Sequence, residues 1–147
     1  MSFSSMKTFL VVAIVGAVIA AEVSALDIKC KGLPITMTEE QITRMKTCAK
    51  TVGVDAPEKM TPEKIGCFSK CMFERKELVD ENGKPHKENI NKVIDASMPE
   101  PVREDAKAKF ATCLDQFGGT IDPKDASCAT YAPLAMCTTK AMKEVCM

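Results

Sequence analysis

The sequence predicts an all-α fold cross-linked by disulfides, and three observations predict it. Apolar residues recur at helical spacing in several separate stretches, each bounded by start or stop signals. Eight cysteines follow an apolar leader, and an even count in a small secreted chain reads as a set of bridges. No stretch sustains the alternation of a half-buried strand, and there is no internal repeat or low-complexity segment.

The leader comes first. A short segment carrying Lys7, an uncharged run from Thr8 to Ala21 and small residues at Val23-Ser24-Ala25 make a secretory signal peptide. Cleavage is expected after Ala25, with Ala20 as the other candidate. Residues 1–25 are therefore leader, and residues 26–147 form a single domain with no membrane span of its own. The formal net charge is zero, and it stays zero when the leader takes Lys7 and Glu22 with it. A neutral surface gives no electrostatic reason to expect nucleic acid or an anionic membrane as partner.

Leu26 to Pro34 is a lead-in carrying Cys30. Thr38-Glu39-Glu40-Gln41 is a capping box, opening a helix with Ile42, Met45 and Ala49 on one stripe and Cys48 beside them. Gly53 stops it. Thr61-Pro62-Glu63 is a second start signal, an N-cap followed by proline at the first helical position and an acid at the positive dipole end. Ile65, Phe68, Cys71 and Met72 follow at helical spacing, and this helix is expected to end near Leu78-Val79.

Cys67 and Cys71 lie one turn apart on one face of that helix. Held in consecutive turns, they cannot easily bridge to each other, so each must reach a different element. The helix is a clamp. Zinc is the rival reading of paired cysteines, but Cys-x3-Cys is an uncommon arm, and His86 stands alone as the only histidine. No metal ligand set is expected.

Asp80-Glu81-Asn82-Gly83 is a turn; it lacks the alternating acids and downstream Glu of a calcium loop. Glu88 to Met98 is a short amphipathic helix with Ile90, Val93, Ile94 and Met98 inward, ended by Pro99 and Pro101. Val102, Ala106, Phe110, Cys113, Leu114 and Phe117 mark the clearest helix, closed by Gly118-Gly119. After a loop at Ile121 to Asp125, a last helix runs to about Val145, with Pro133 in a first turn capped by Thr130. Leu134, Cys137, Ala141 and Val145 form one of its stripes; Tyr131, Ala135, Met142 and Cys146 form another. A helix apolar on two sides is buried on both.

The order Cys48-x18-Cys67-x3-Cys71-x41-Cys113-x14-Cys128-x8-Cys137 resembles the insect odorant-binding and pheromone-binding protein family. Cys48-Ala-Lys-Thr-Val-Gly-Val54 and Leu78-Val-Asp-Glu-Asn-Gly-Lys84 add to the likeness, which covers about Thr36 to Cys137. The resemblance implies a compact bundle of about six helices around an apolar cavity. It also implies the bridges Cys48–Cys71, Cys67–Cys128 and Cys113–Cys137, one choice among the 105 pairings that eight cysteines allow. With those six committed, Cys30 and Cys146 are additional, and the expectation is a fourth bridge between them. Three departures accompany the likeness: the short gap from Cys48 to Cys67, which cuts down a helix; the two extra cysteines; and a short tail after Cys137.

Catalysis needs a nucleophile with a base, a metal, or paired acids, and none is legible. His86 in Pro-His-Lys reads as a solvated turn residue, and the cysteines are committed to bridges. The chain is not expected to be an enzyme or to hold a cofactor. Of its ten methionines eight follow the leader, and there is no tryptophan; with Phe68, Phe73, Phe110, Phe117 and Tyr131 they suit a surface that adapts to varied apolar guests. Met72, Phe110, Leu114, Phe117, Tyr131 and Leu134 are the candidate cavity residues, on the inward stripes of the clamp helix and the last two helices. The expected function is a secreted, extracellular carrier of a small hydrophobic ligand such as an odorant or pheromone, as a monomer or weak homodimer, with a membrane receptor downstream. A ligand-sequestering scavenger of saliva, venom or seminal fluid with the same fold, and a ligand-free interaction module, remain the alternatives.

Overall fold

The computed structural model describes residues 29–55, 59–74 and 78–147; the leader and its cleavage site lie outside the described residues. The fold is all-α. Five α-helices are present among the described residues: α1 Glu39–Thr51, α2 Pro62–Phe73, α3 Lys87–Ser97, α4 Arg103–Phe117 and α5 Ala132–Cys146. That is one fewer than the six expected. Between Cys48 and Cys67, α1 runs on to Thr51 and α2 begins at Pro62, and no further α-helix lies among the described residues of that gap.

The start signals are those of the sequence in the first two helices. Thr38 Oγ1 accepts from the Gln41 N–H at 3.1 Å, and Gln41 Oε1 accepts from the Thr38 N–H at 2.8 Å, closing both halves of the capping box. Thr61 Oγ1 accepts from the Lys64 N–H, with Pro62 in the first turn. In α3 the cap is His86, whose Nδ1 accepts from the Asn89 N–H at 3.4 Å; the residue expected as a solvated turn is a half-buried, extended N-cap.

Two expectations are corrected. The clamp helix α2 ends at Phe73, short of Leu78-Val79, and Val79 instead forms a β-bridge with Pro85. The reason is local: Asp80 Oδ1 accepts from the Asn82 and Lys84 N–H groups, and the Asp80 N–H donates to the Lys84 carbonyl. A carboxylate that bonds its own backbone favours a turn over a helix. At the other end of the chain, Thr130 does not cap α5. Its hydroxyl accepts from the Asp122 N–H, and Ala129–Tyr131 form a 3-10 turn that leads into Ala132.

The lead-in is also more ordered than its sequence suggests. Lys29–Cys30 pairs antiparallel with Leu33–Pro34. Between them Lys31 and Gly32 both have positive φ, 51° and 79°, as a two-residue hairpin turn with the right twist requires. Two-residue strands do not alter the class.

The helices pack in pairs, α1 on α2 and α3 on α4, with α5 against both α2 and α4. Accordingly α5 buries residues all along its length, from Leu134 and Ala135 to Val145 and Cys146. Four bridges fasten this arrangement: Cys48–Cys71 joins α1 to α2, Cys67–Cys128 joins α2 to the loop before α5, Cys113–Cys137 joins α4 to α5, and Cys30–Cys146 joins the hairpin to the end of α5. The two clamp cysteines thus leave α2 for different elements. On the surface, Lys107 Nζ meets Asp95 of α3 and Glu104. The Asp95 hydrogen bond raises the Lys107 pKa above its ordinary value. Exposed pairs of this kind contribute about 0–1 kcal/mol, so burial and bridges hold the bundle.

Candidate ligand-binding site

Buried side chains gather into three groups. Met45, Cys48, Ala49, Phe68 and Met72 form one between α1 and α2. Ile90, Ile94, Met98, Ala106, Met142 and Val145 belong to a second, between α3, α4 and α5. Cys113, Ile121, Tyr131, Leu134 and Ala141 form a third, where α4 meets α5. The first two groups do not close on each other. Between them is a cavity of about 200 Å³ to which all five helices contribute.

Its walls are apolar. Met37, Met45, Met72, Met98 and Met142 line it, as do Phe68, Phe73 and Phe110. Five of the ten methionines that marked the sequence therefore meet at one place, while Met136 and Met147 are exposed. No ionisable side chain is among the lining residues, and the polar ones are Gln41, Ser69, Ser97, Thr138 and Thr139. Ser97 Oγ donates to the Val93 carbonyl at 2.6 Å, and Thr138 Oγ1 lies within reach of the Leu134 and Ala135 carbonyls, at 3.0 and 3.1 Å. Those two hydroxyls are turned back onto their own helices.

Of the residues proposed from sequence, Met72, Phe110, Leu114 and Leu134 line the cavity, whereas Phe117 and Tyr131 do not. Phe117 and Phe110 share a stripe on α4, but seven residues separate them by about 10 Å along the axis. That distance carries Phe117 past the void and into the group around Cys113 and Ile121. Tyr131 is 2 % exposed in the same group, with the ring centroid of Phe73, a cavity residue, 6.2 Å away. Burial, followed by Glu74, Asp122 and Asp125, raises the Tyr131 pKa. The sequence reading missed the contributions of α1 and α3. Ile90, Val93 and Ile94 were legible as an inward stripe, yet nothing in a stripe says whether it meets another helix or a void.

The wall from α5 depends on the loop that delivers it. Asp125 accepts from Ser127 Oγ at 2.6 Å and from the Ser127 and Thr130 N–H groups at 3.0 Å each. These bonds, the Ser127 hydroxyl first, lower its pKa to about 2. Lys70 Nζ of α2 donates to the Asp125 carbonyl at 2.8 Å, and the Cys67–Cys128 bridge lies next to it. The loop is tied to the clamp helix on both sides of the turn.

Among the described residues no cluster of three or more His, Cys, Asp or Glu side chains could hold a metal. No helix there is long and apolar enough to cross a membrane. Among the described residues that line the cavity there is no nucleophile–base pair; what such a wall can do is take apolar surface out of water. Compared with known proteins, residues 19–141 match the family model described as the PBP/GOBP family. No curated protein and no solved structure matches the chain.

Proposed function

Because the chain belongs to the PBP/GOBP family, the insect odorant- and pheromone-binding proteins, we propose that it carries a small hydrophobic molecule through an aqueous secretion. Proteins of this family bind small ligands and are not enzymes. The observation that carries the reading is the cavity itself, lined from five helices and free of ionisable groups. Burial of a guest's apolar surface there is worth about 25 cal/mol per Å². The methionine-rich wall suits guests of varied shape.

On this reading residues 1–25 are a leader removed on export, and residues 26–147 are the carrier domain. The balanced charge favours free diffusion in the secretion over attachment to nucleic acid or an anionic membrane. The carrier acts as a monomer or weak homodimer, and delivery to a membrane receptor is the step that follows. Met72, Phe110, Leu114 and Leu134 contact the guest.

Displacement of an apolar fluorescent probe tests the proposal. Neutral alcohols, esters and terpenoids should displace it saturably at one site per chain. No displacement across that panel would leave a ligand-free interaction module as the better account.

A further inference from the structure

The methionines divide by exposure and by place. Eight fall among the described residues. Met136 and Met147 are exposed and lie off the cavity; Met60 is half-buried against the group around Met45 and lies off it as well. Met45, Met72, Met98 and Met142 line the cavity and are at most 8 % exposed. Of the eight, Met37 alone both lines the cavity and stands partly open to solvent. Its backbone is held on either side. The Thr36 N–H donates to the Ser97 carbonyl at 2.8 Å, and Thr38 closes the capping box of α1. The Met37 thioether is thereby kept at the boundary between water and the void.

That sulfur is open to oxidation. All eight cysteines are in bridges and none is free, so no thiol competes for an oxidant. A hydroperoxide oxidises a thioether by oxygen transfer. A sulfur lone pair attacks the terminal oxygen, and the O–O bond breaks as the S–O bond forms. The proton of the transferred oxygen goes to the departing one, which leaves as water or an alcohol. Sulfur is oxidised and the hydroperoxide reduced. The product is a sulfoxide, polar where the side chain was apolar. Kept in the wall, its oxygen is left without a partner by an apolar guest. Turned out to water, it takes the side chain with it and leaves the guest less apolar surface to bury against.

We propose that Met37 is a sulfoxidation site through which a hydroperoxide loosens the carrier's hold on its guest. This rests on the carrier reading above. Methionine sulfoxide is reduced back to the thioether by sulfoxide reductases, so the modification is reversible. The four buried methionines keep the wall apolar, and Met37 makes the affinity depend on oxidant.

The test treats the wild type and Met37→Leu with limiting hydrogen peroxide and maps sulfoxides by peptide mass spectrometry. Each protein is then titrated calorimetrically with ethylbenzene and compared with its own untreated sample. Ethylbenzene suits the space, since a cavity of about 150 Å³ admits benzene and this one measures about 200 Å³. Susceptibility follows exposure, so Met37 should oxidise at least about fivefold faster than the four buried cavity methionines. Wild-type affinity should fall at least about fivefold as Met37 is oxidised, the effect of one unsatisfied polar group. A methionine sulfoxide reductase should return it. In Met37→Leu, where Met136 and Met147 still oxidise, treated and untreated protein should bind alike. An unmoved wild-type affinity once Met37 is oxidised overturns the proposal and leaves the carrier reading standing. So does an equal loss in Met37→Leu. The reductase arm needs no variant: affinity that stays lost after Met37 is reduced again overturns the proposal too. If untreated wild type takes up no ethylbenzene, the carrier reading fails and the proposal falls with it.

Discussion

The carbonyl oxygen of Cys128 lies so close over Gly66 that a β-carbon there would meet it at 2.7 Å. Cys128 has φ 63° and ψ 4°, the left-handed conformation that side chains other than Gly, Asn and Asp rarely adopt. The bridge from Cys67 and the absence of a side chain at Gly66 belong to one contact between α2 and the loop before α5. Gly66→Ala should therefore destabilise the protein by about 1–3 kcal/mol through overpacking. The opposing gain in helix propensity, about 1 kcal/mol, is too small to reverse the sign. Urea unfolding of the two proteins compares them. A more stable variant would mean that the loop yields freely.

The bridge Cys30–Cys146 spans 116 residues, and beside it the Lys31 N–H donates to the Cys146 carbonyl. In the chain-entropy account, closing a loop of that length contributes about 4–5 kcal/mol. Cys30→Ser with Cys146→Ser should lower stability by up to about that amount. It should also speed hydrogen exchange at the amides of positions 145 and 146, since the hairpin no longer holds the end of α5. Unchanged exchange at those amides would show that packing alone fixes the tail.

Asp125 supplies the pH dependence. Its carboxyl titrates at 3.8 in the unfolded reference and at about 2 in the fold. A depressed folded pKa stabilises the protein fully above the unfolded value, and the contribution disappears as pH falls through the folded one. The stability difference between wild type and Asp125→Asn should therefore narrow as acid takes the pH from about 5 to about 2. Denaturant midpoints measured across that range check it; a constant gap would contradict the assignment.

Phe110 and Phe117 separate wall from core. A fully buried Phe→Ala change costs about 3–5 kcal/mol, and these half-buried rings should cost less. Phe117→Ala should lose stability and keep ligand affinity, because Phe117 packs on the group around Cys113. Phe110→Ala should weaken binding several-fold, because Phe110 borders the cavity. The reverse pattern in paired unfolding and binding measurements would relocate the site.

Much of the fold was legible because it is encoded locally. The Thr38–Gln41 box and the Thr61-Pro62 start involve residues within one turn of each other, and the structure closes both. Cys67 and Cys71, one turn apart, had to leave for different elements, and they do. What sequence reasoning missed depends on distance along an axis or on a rival local bond. Periodicity put Phe117 on the same stripe as Phe110 without saying where along α4 the void stops. It extended α2 to Val79, where the Asp80 carboxylate draws the chain into a turn. It gave Thr130 to the first turn of α5, when Asp122 takes its hydroxyl.

The central claim is that the space between the two helix pairs takes up a small apolar molecule. Calorimetric titration with ethylbenzene at several temperatures, on the wild type and on Ala135→Leu, tests it most directly. Ala135 is buried in the cavity wall, so the larger side chain occupies the guest's space. The account predicts saturable one-to-one binding with a negative heat-capacity change in the wild type and at least a roughly tenfold loss in Ala135→Leu, equivalent to about 1.4 kcal/mol. Absence of saturable binding in the wild type, or equal affinity in the two proteins, would contradict it.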